Sequence, residues 1–225
     1  MKRNTDLDFI RAILIILMIL IHIVSFGNAY PQLKAGILSF MMPTFLIITG
    51  YLVNIEKTGR QMGNYLKCLA LPYVIMVTGF SVLSYYMPVR DGITELSLSQ
   101  ICEKIFVTSI GPYWFIQTMI ICGTLYYFCF RGRNWNDLRK NYTKRDTYAS
   151  LFVFALTLLL ISETPALSAS AAAYYFIGVV IRQSKTEWNK LFRHESFAII
   201  LWIYLLNHDD WYDWGNLAIV FSCWC

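Results

Sequence analysis

Long apolar blocks alternate with short polar segments along the chain. A helix that crosses a bilayer needs about 20 predominantly apolar residues. Four blocks approach that length: Phe9–Phe26, Ala35–Val53, Tyr65–Met87 and Pro112–Phe130. Four shorter ones follow: Tyr148–Ser162, Leu167–Ile181, Ser196–Leu206 and Trp214–Cys225. The pattern predicts an all-α, polytopic transmembrane bundle of seven to eight membrane segments. Helices are the natural elements because hydrocarbon offers no water to satisfy backbone N–H and C=O groups. No block shows the strict alternation of a membrane barrel strand. Pro43 falls inside the second segment, Pro72 is placed to kink the start of the third, and Pro112 suits a first helical turn.

The basic residues give the bundle a direction. With the N-terminus inside, the cytoplasmic segments carry Lys2 and Arg3; Lys57, Arg60 and Lys67; Arg131, Arg133, Arg139, Lys140, Lys144 and Arg145; and Arg182, Lys185, Lys190 and Arg193. Those fifteen stand against Lys34, Arg90 and Lys104 on the outer side. Such a bias, repeated at every turn, predicts a cytoplasmic N-terminus. The longest outer connection is Val89–Gly111, within which Leu96–Val107 reads as an amphipathic helix at the interface. Arg131–Asp146 is basic and reads as a cytoplasmic loop facing anionic head groups.

Composition agrees. Hydrophobic residues make up 57% of the chain and charged residues 15%, against about 45–50% and 25% in soluble domains. The net charge of +5 is divided among separate loops, which argues against a nucleic-acid surface. The six cysteines, Cys68, Cys102, Cys122, Cys129, Cys223 and Cys225, make no paired zinc spacing and read as small hydrophobes. His208, Asp209, Asp210 and Asp213 read as a solvated turn, and no metal is expected. The apolar run Ile13–Val24 is followed by Ser25-Phe26-Gly27, a poor cleavage site, so it reads as a retained first helix.

Two ionisable side chains interrupt that first helix, Arg11 and His22. Eleven helical steps return almost to the same face, with a rise of about 16 Å. An ionisable residue inside a membrane helix is a functional candidate by default, and histidine is the side chain suited to moving a proton near neutral pH. Plainer roles stand beside this one. Arg11 can snorkel to head groups or pair with Asp8, and His22 can close a helix end or bond a neighbouring carbonyl.

At these residues the chain resembles the acyltransferase-3 family of membrane acyltransferases. The first helix, from Asp8-Phe9-Ile10-Arg11 to Ile21-His22, matches the family's arginine and histidine with ten residues between them. Pro43-Thr44-Phe45-Leu46-Ile47-Ile48-Thr49-Gly50-Tyr51-Leu52 resembles the end of its second helix, with Thr49 for the usual serine. Gly111-Pro112-Tyr113-Trp114-Phe115-Ile116 is similar to a later helix start, and Tyr175-Phe176-Ile177-Gly178 to a Phe-x-x-Gly element. Two departures stand out. Lys67-Cys68-Leu69-Ala70-Leu71-Pro72 holds one cation where relatives carry Arg-x-x-Arg, and lysine lacks the bidentate grip of arginine. The chain also ends within an apolar run, which predicts a shortened member lacking the family's last helices.

The resemblance implies a single membrane-embedded domain, 1–225, that moves an acyl group, acetyl first, from acyl-CoA to a hydroxyl of a cell-surface or lipid-linked glycan. It implies His22 as general base and Arg11 as a catalytic and cofactor-binding residue. Lys67 would be a second cationic contact to the cofactor. Tyr113 and Trp114 would stack on a sugar, against a default role in an interface belt. Thr49 and Gly50 are expected in close helix packing. The partners implied are the glycan acceptor and membrane lipids, with no nucleic acid, in a bacterial inner membrane; no oligomeric state is set. The alternatives are an inactive fragment of such a protein, or a membrane glycan or lipid transport component.

Overall fold

A computed structural model describes residues 5–55, 57–87, 89, 91–131 and 144–184. Every regular element among the described residues is helical: α1 (Thr5–His22), α2 (Val24–Ala29), α3 (Pro31–Leu52), α4 (Gly59–Tyr86), α5 (Leu98–Glu103), α6 (Trp114–Arg131), α7 (Lys144–Ser162) and α8 (Ala169–Gln183). A π turn (Lys104–Thr108) follows α5, and a 3-10 turn (Gly111–Tyr113) leads into α6. Among the described residues, three stretches are long and apolar enough to cross a bilayer: Pro31–Leu52, Gly59–Tyr86 and Gly111–Phe130. The protein is therefore an integral membrane protein. The segments Ser196–Leu206 and Trp214–Cys225, the Cys223 and Cys225 pair, the His208 turn and most of the Arg131–Asp146 loop lie outside the described residues.

Two compact units divide the chain. The first takes Met1–Tyr51 and Ile177–Cys225, the second Leu52–Phe176. In the first unit, α3 buries Ile37, Met41, Phe45, Leu46, Ile47 and Ile48. Pro43 sits inside α3 without ending it, and the adjacent Thr44 turns its hydroxyl back onto the Phe40 carbonyl at 2.6 Å. The C-terminal half of α8 crosses α3 with backbone against backbone. A Cβ added at Gly178 would overlap the Ile47 carbonyl oxygen and lie 3.0 Å from the Tyr51 nitrogen. Only glycine fits there, which gives the Phe-x-x-Gly element a packing reason. One turn on, Arg182 donates from Nη1 to the Tyr51 carbonyl at 2.9 Å. That carbonyl belongs to the last turn of α3, whose C=O groups have no partner within the helix.

The second unit is built on α4, whose start is fixed by a capping box. The Gln61 amide N–H donates to Thr58 Oγ1 at 3.3 Å, and the Thr58 N–H donates to Gln61 Oε1 at 3.0 Å. This starts the helix at Gly59, six residues before the apolar block predicts, and α4 runs on through Pro72. Tyr73 and Val77 of α4 pack with Ile110 in a buried cluster, against which Phe80, Ile105, Tyr113, Ile116 and Ile120 lie. A second apolar centre joins α6 to α7 and to the first half of α8. There the Tyr126 ring meets Phe130 at 4.9 Å and Phe154 at 5.6 Å, and Phe154 meets Phe176 at 5.9 Å. Tyr127 Oη–H reaches the Lys57 carbonyl at 3.1 Å and ties the α3–α4 connection to α6.

The predicted interfacial helix Leu96–Val107 forms as α5 plus the π turn, with Leu98 77% exposed and Phe106 also exposed. Its second half leaves α geometry where side chains take the backbone carbonyls. Tyr73 donates its hydroxyl to Ile105 O at 2.8 Å, and Gln117 Nε2 donates to Val107 O at 3.3 Å.

Candidate functional site

The first helix differs from its prediction at one end. The apolar block Phe9–Phe26 reads as one helix, but α1 stops at His22, Ile23 is extended (φ −71°, ψ 110°), and α2 restarts at Val24. The break falls inside the apolar run, and the chain is helical again through Gly27 and Asn28 before Pro31 opens α3. His22 is thus the last helical residue of α1.

α1 buries a narrow stripe of Leu7, Leu14 and Ile21, seven residues apart. On a regular helix, position 11 lies roughly 40–80° round from that stripe and position 22 roughly 60–100° round, on the same side. Arg11 and the His22 backbone therefore share one edge of the buried face, nearly two turns beyond the helix start and at its very end. The Arg11 side chain is exposed. The His22 side chain lies outside what the structure describes.

The other sequence-predicted residues belong to the second unit. Lys67 is exposed on α4, and Tyr113 and Trp114 open α6. Lys67 is not brought to the aromatic pair: Tyr113 packs at Phe80 with ring centroids 6.0 Å apart, and the 13 residues from Lys67 to Phe80 span about 20 Å of helix. Tyr113 is half-buried in the Tyr73–Val77–Ile110 cluster, whereas Trp114 is 37% exposed. Of the two rings, Trp114 is the one free to meet a ligand.

Sequence reasoning passed over three features. Lys57 Nζ lies 4.1 Å from the Tyr65 ring centroid, a cation–π contact eight residues apart. Ser109 holds φ +51° and ψ 173°, a backbone region close to glycine-only, and its side chain is buried. It stands five residues before Trp114. Gln117 and Thr118 are buried polar residues on α6. None of the three carries a charge pattern or spacing that separates it from ordinary membrane-helix sequence.

Comparison with known proteins decides the family. The model of the acyltransferase domain family Acyl_transf_3 matches residues 4–216. The chain belongs to this family. It is also similar to the nodulation protein NolL of Sinorhizobium fredii (strain NBRC 101917 / NGR234), 26% identical over 243 aligned residues that cover 97% of this chain and 62% of NolL. The chain thus spans 62% of the length of that curated relative. No solved structure matches it significantly. Arg11 and His22 both lie within the matched span.

Proposed function

We propose that this protein transfers an acyl group, acetyl in the first instance, from acyl-CoA to a hydroxyl of a cell-surface or lipid-linked glycan. The observation that carries the reading is the family match over residues 4–216, within which helical periodicity sets Arg11 and the His22 backbone along one edge of α1. NolL is named for nodulation and not for a reaction, so the acceptor class follows from the family resemblance.

In this reading the N-terminus is cytoplasmic, as the distribution of Lys and Arg supports, in a bacterial inner membrane, with seven or eight segments in one domain. Acyl-CoA arrives from the cytoplasm, and Arg11 holds its anionic end, with Lys67 as a second cationic contact. The pantetheine arm extends along α1, whose rise from Arg11 to His22 is about 16 Å. Neutral His22 takes the proton of the acceptor hydroxyl as its oxygen attacks the thioester carbonyl. The tetrahedral intermediate collapses, the C–S bond breaks, and the CoA thiolate leaves and recovers the proton from His22. The products are an O-acyl glycan and CoA. Trp114 stacks on the acceptor sugar, with Tyr113 supporting it from the core.

The deciding experiment is transfer from labelled acetyl-CoA into membrane glycan by the wild type and by His22→Ala. The variant inserts normally and transfers nothing above background. Equal transfer by both removes His22 as the base. No transfer by wild type favours the inactive or transport alternatives.

A further inference from the structure

Within the second unit, Tyr175 is 0% exposed, and its hydroxyl has no hydrogen-bond partner among the described residues. A hydroxyl left unsatisfied in an apolar interior is unfavourable, and phenylalanine would fill the same space without that penalty. The hydroxyl is aimed at α6. A Cβ built on Gly123 would sit 3.5 Å from it, an ordinary contact distance. Alanine would therefore fit at position 123 and would strengthen the helix, yet the chain has glycine. Two unfavourable choices meet at one point: a polar atom with no partner, and a methyl-sized gap directly over it.

Both are explained if a ligand atom enters the gap and accepts the hydrogen bond. Among the described residues, the titratable groups that act on this hydroxyl are Cys122, Tyr65 and Tyr126, all uncharged in their ordinary forms. A phosphate or carboxylate would have to shed its water here without a counter-charge, which disfavours it strongly. A neutral acceptor on a slender, largely apolar body meets no such obstacle. Among the parts of an acyl-CoA, the thioester and the pantetheine amides answer that description.

We propose that the Tyr175 hydroxyl, with Gly123 keeping the space above it open, binds a carbonyl group of the acyl donor. The assignment rests on the acyl-transfer reading. It makes Tyr175 a donor-binding residue and gives the tyrosine of Tyr175-Phe176-Ile177-Gly178 a role separate from that of its glycine.

The test uses the full chain in detergent or nanodiscs, with Tyr175→Phe and Gly123→Ala. Two quantities are measured: transfer from labelled acetyl-CoA, and the rise in unfolding temperature that acetyl-CoA or CoA induces. Both variants should raise the half-saturating acetyl-CoA concentration about tenfold, the scale of one lost buried hydrogen bond. Without ligand they should unfold at the wild-type temperature or above it. Weakened response to acetyl-CoA alone assigns the thioester carbonyl, and weakened response to both assigns an amide. If Tyr175→Phe does not fold, Gly123→Ala carries the test. A wild type that responds to acetyl-CoA while both variants respond identically overturns this assignment and leaves acyl transfer intact. A wild type with neither transfer nor stabilisation overturns both.

Discussion

α1 and α6 are helices of equal length, 18 residues, with opposite ways of handling polarity. α1 carries Asp6, Asp8 and Arg11 at one end and His22 at the other, and buries only a seven-residue stripe of Leu7, Leu14 and Ile21. Phe9, Ile13, Ile15, Ile16 and Ile19 remain exposed. α6 has no charge before Arg131, and it buries Gln117, Thr118, Cys122, Tyr126, Tyr127 and Phe130. One helix carries ionisable residues near its ends, with Arg11 exposed, and is lightly packed. The other folds uncharged polar groups into a packed interior. Substitutions in α1 should therefore cost chemistry and spare the fold, while substitutions at packed crossings should cost the fold first.

The largest effect should come from α1. His22→Ala removes the proposed base, and general-base assistance contributes roughly 10²–10⁴-fold to rate. Acetyl transfer should fall by that factor while the unfolding temperature stays within error of wild type. A variant that loses transfer only in proportion to lost folded protein would place His22 with the packed residues instead.

Gly178→Ala should do the reverse. Its new methyl group meets the Ile47 carbonyl oxygen, which is backbone and cannot rotate away. Forcing α3 and α8 apart should destabilise the protein by about 1–3 kcal/mol, read as a lower unfolding temperature and a smaller yield of folded protein. Full stability in this variant would show that the two helices do not cross at Gly178.

These two sites differ in how far the sequence reveals them. His22 is visible because an imidazole among leucines and isoleucines needs a reason. The glycine's neighbour is invisible, since the meeting of Gly178 with Ile47 depends on how two helices remote in sequence cross. The same holds for the Arg182 to Tyr51 bond, which joins residues 131 apart. The apolar runs predict where α3, α4, α6, α7 and α8 lie because lipid leaves a helix as the only economical form for such a run. They miss the first turns of α4 because those turns are polar. Thr58 and Gln61 do carry the capping-box spacing, and reading that signal would place the start correctly. They also miss the stop after His22, where no proline or glycine marks the break, and the π turn, which depends on Tyr73 and Gln117 reaching across from other helices. Tyr175 is one of 15 tyrosines, and among the described ones it is singled out by a buried hydroxyl without a hydrogen-bond partner.

A smaller effect should separate binding from chemistry within α1. Arg11→Gln keeps length and hydrogen-bonding capacity but loses the charge. If Arg11 holds the anionic end of the donor, the half-saturating acetyl-CoA concentration should rise about tenfold, the scale of one charge-assisted contact. The rate at saturation should change less. An unchanged half-saturation would leave Arg11 as a head-group anchor and remove the cofactor contact from this helix edge.

The smallest effect tests the packed region on its own terms. Ser109 holds a backbone conformation that glycine adopts without strain. Ser109→Gly relieves that strain, against the extra chain entropy that glycine loses on folding. The balance should favour the variant by about 1 kcal/mol, read as a rise of a few degrees in unfolding temperature. Transfer then decides what the strain is for. If the more stable variant uses acceptor less well while its response to acetyl-CoA is unchanged, the strained turn positions the start of α6, and Trp114 with it, for the sugar. If stability rises and acceptor use does not move, the turn serves only to close the connection into α6.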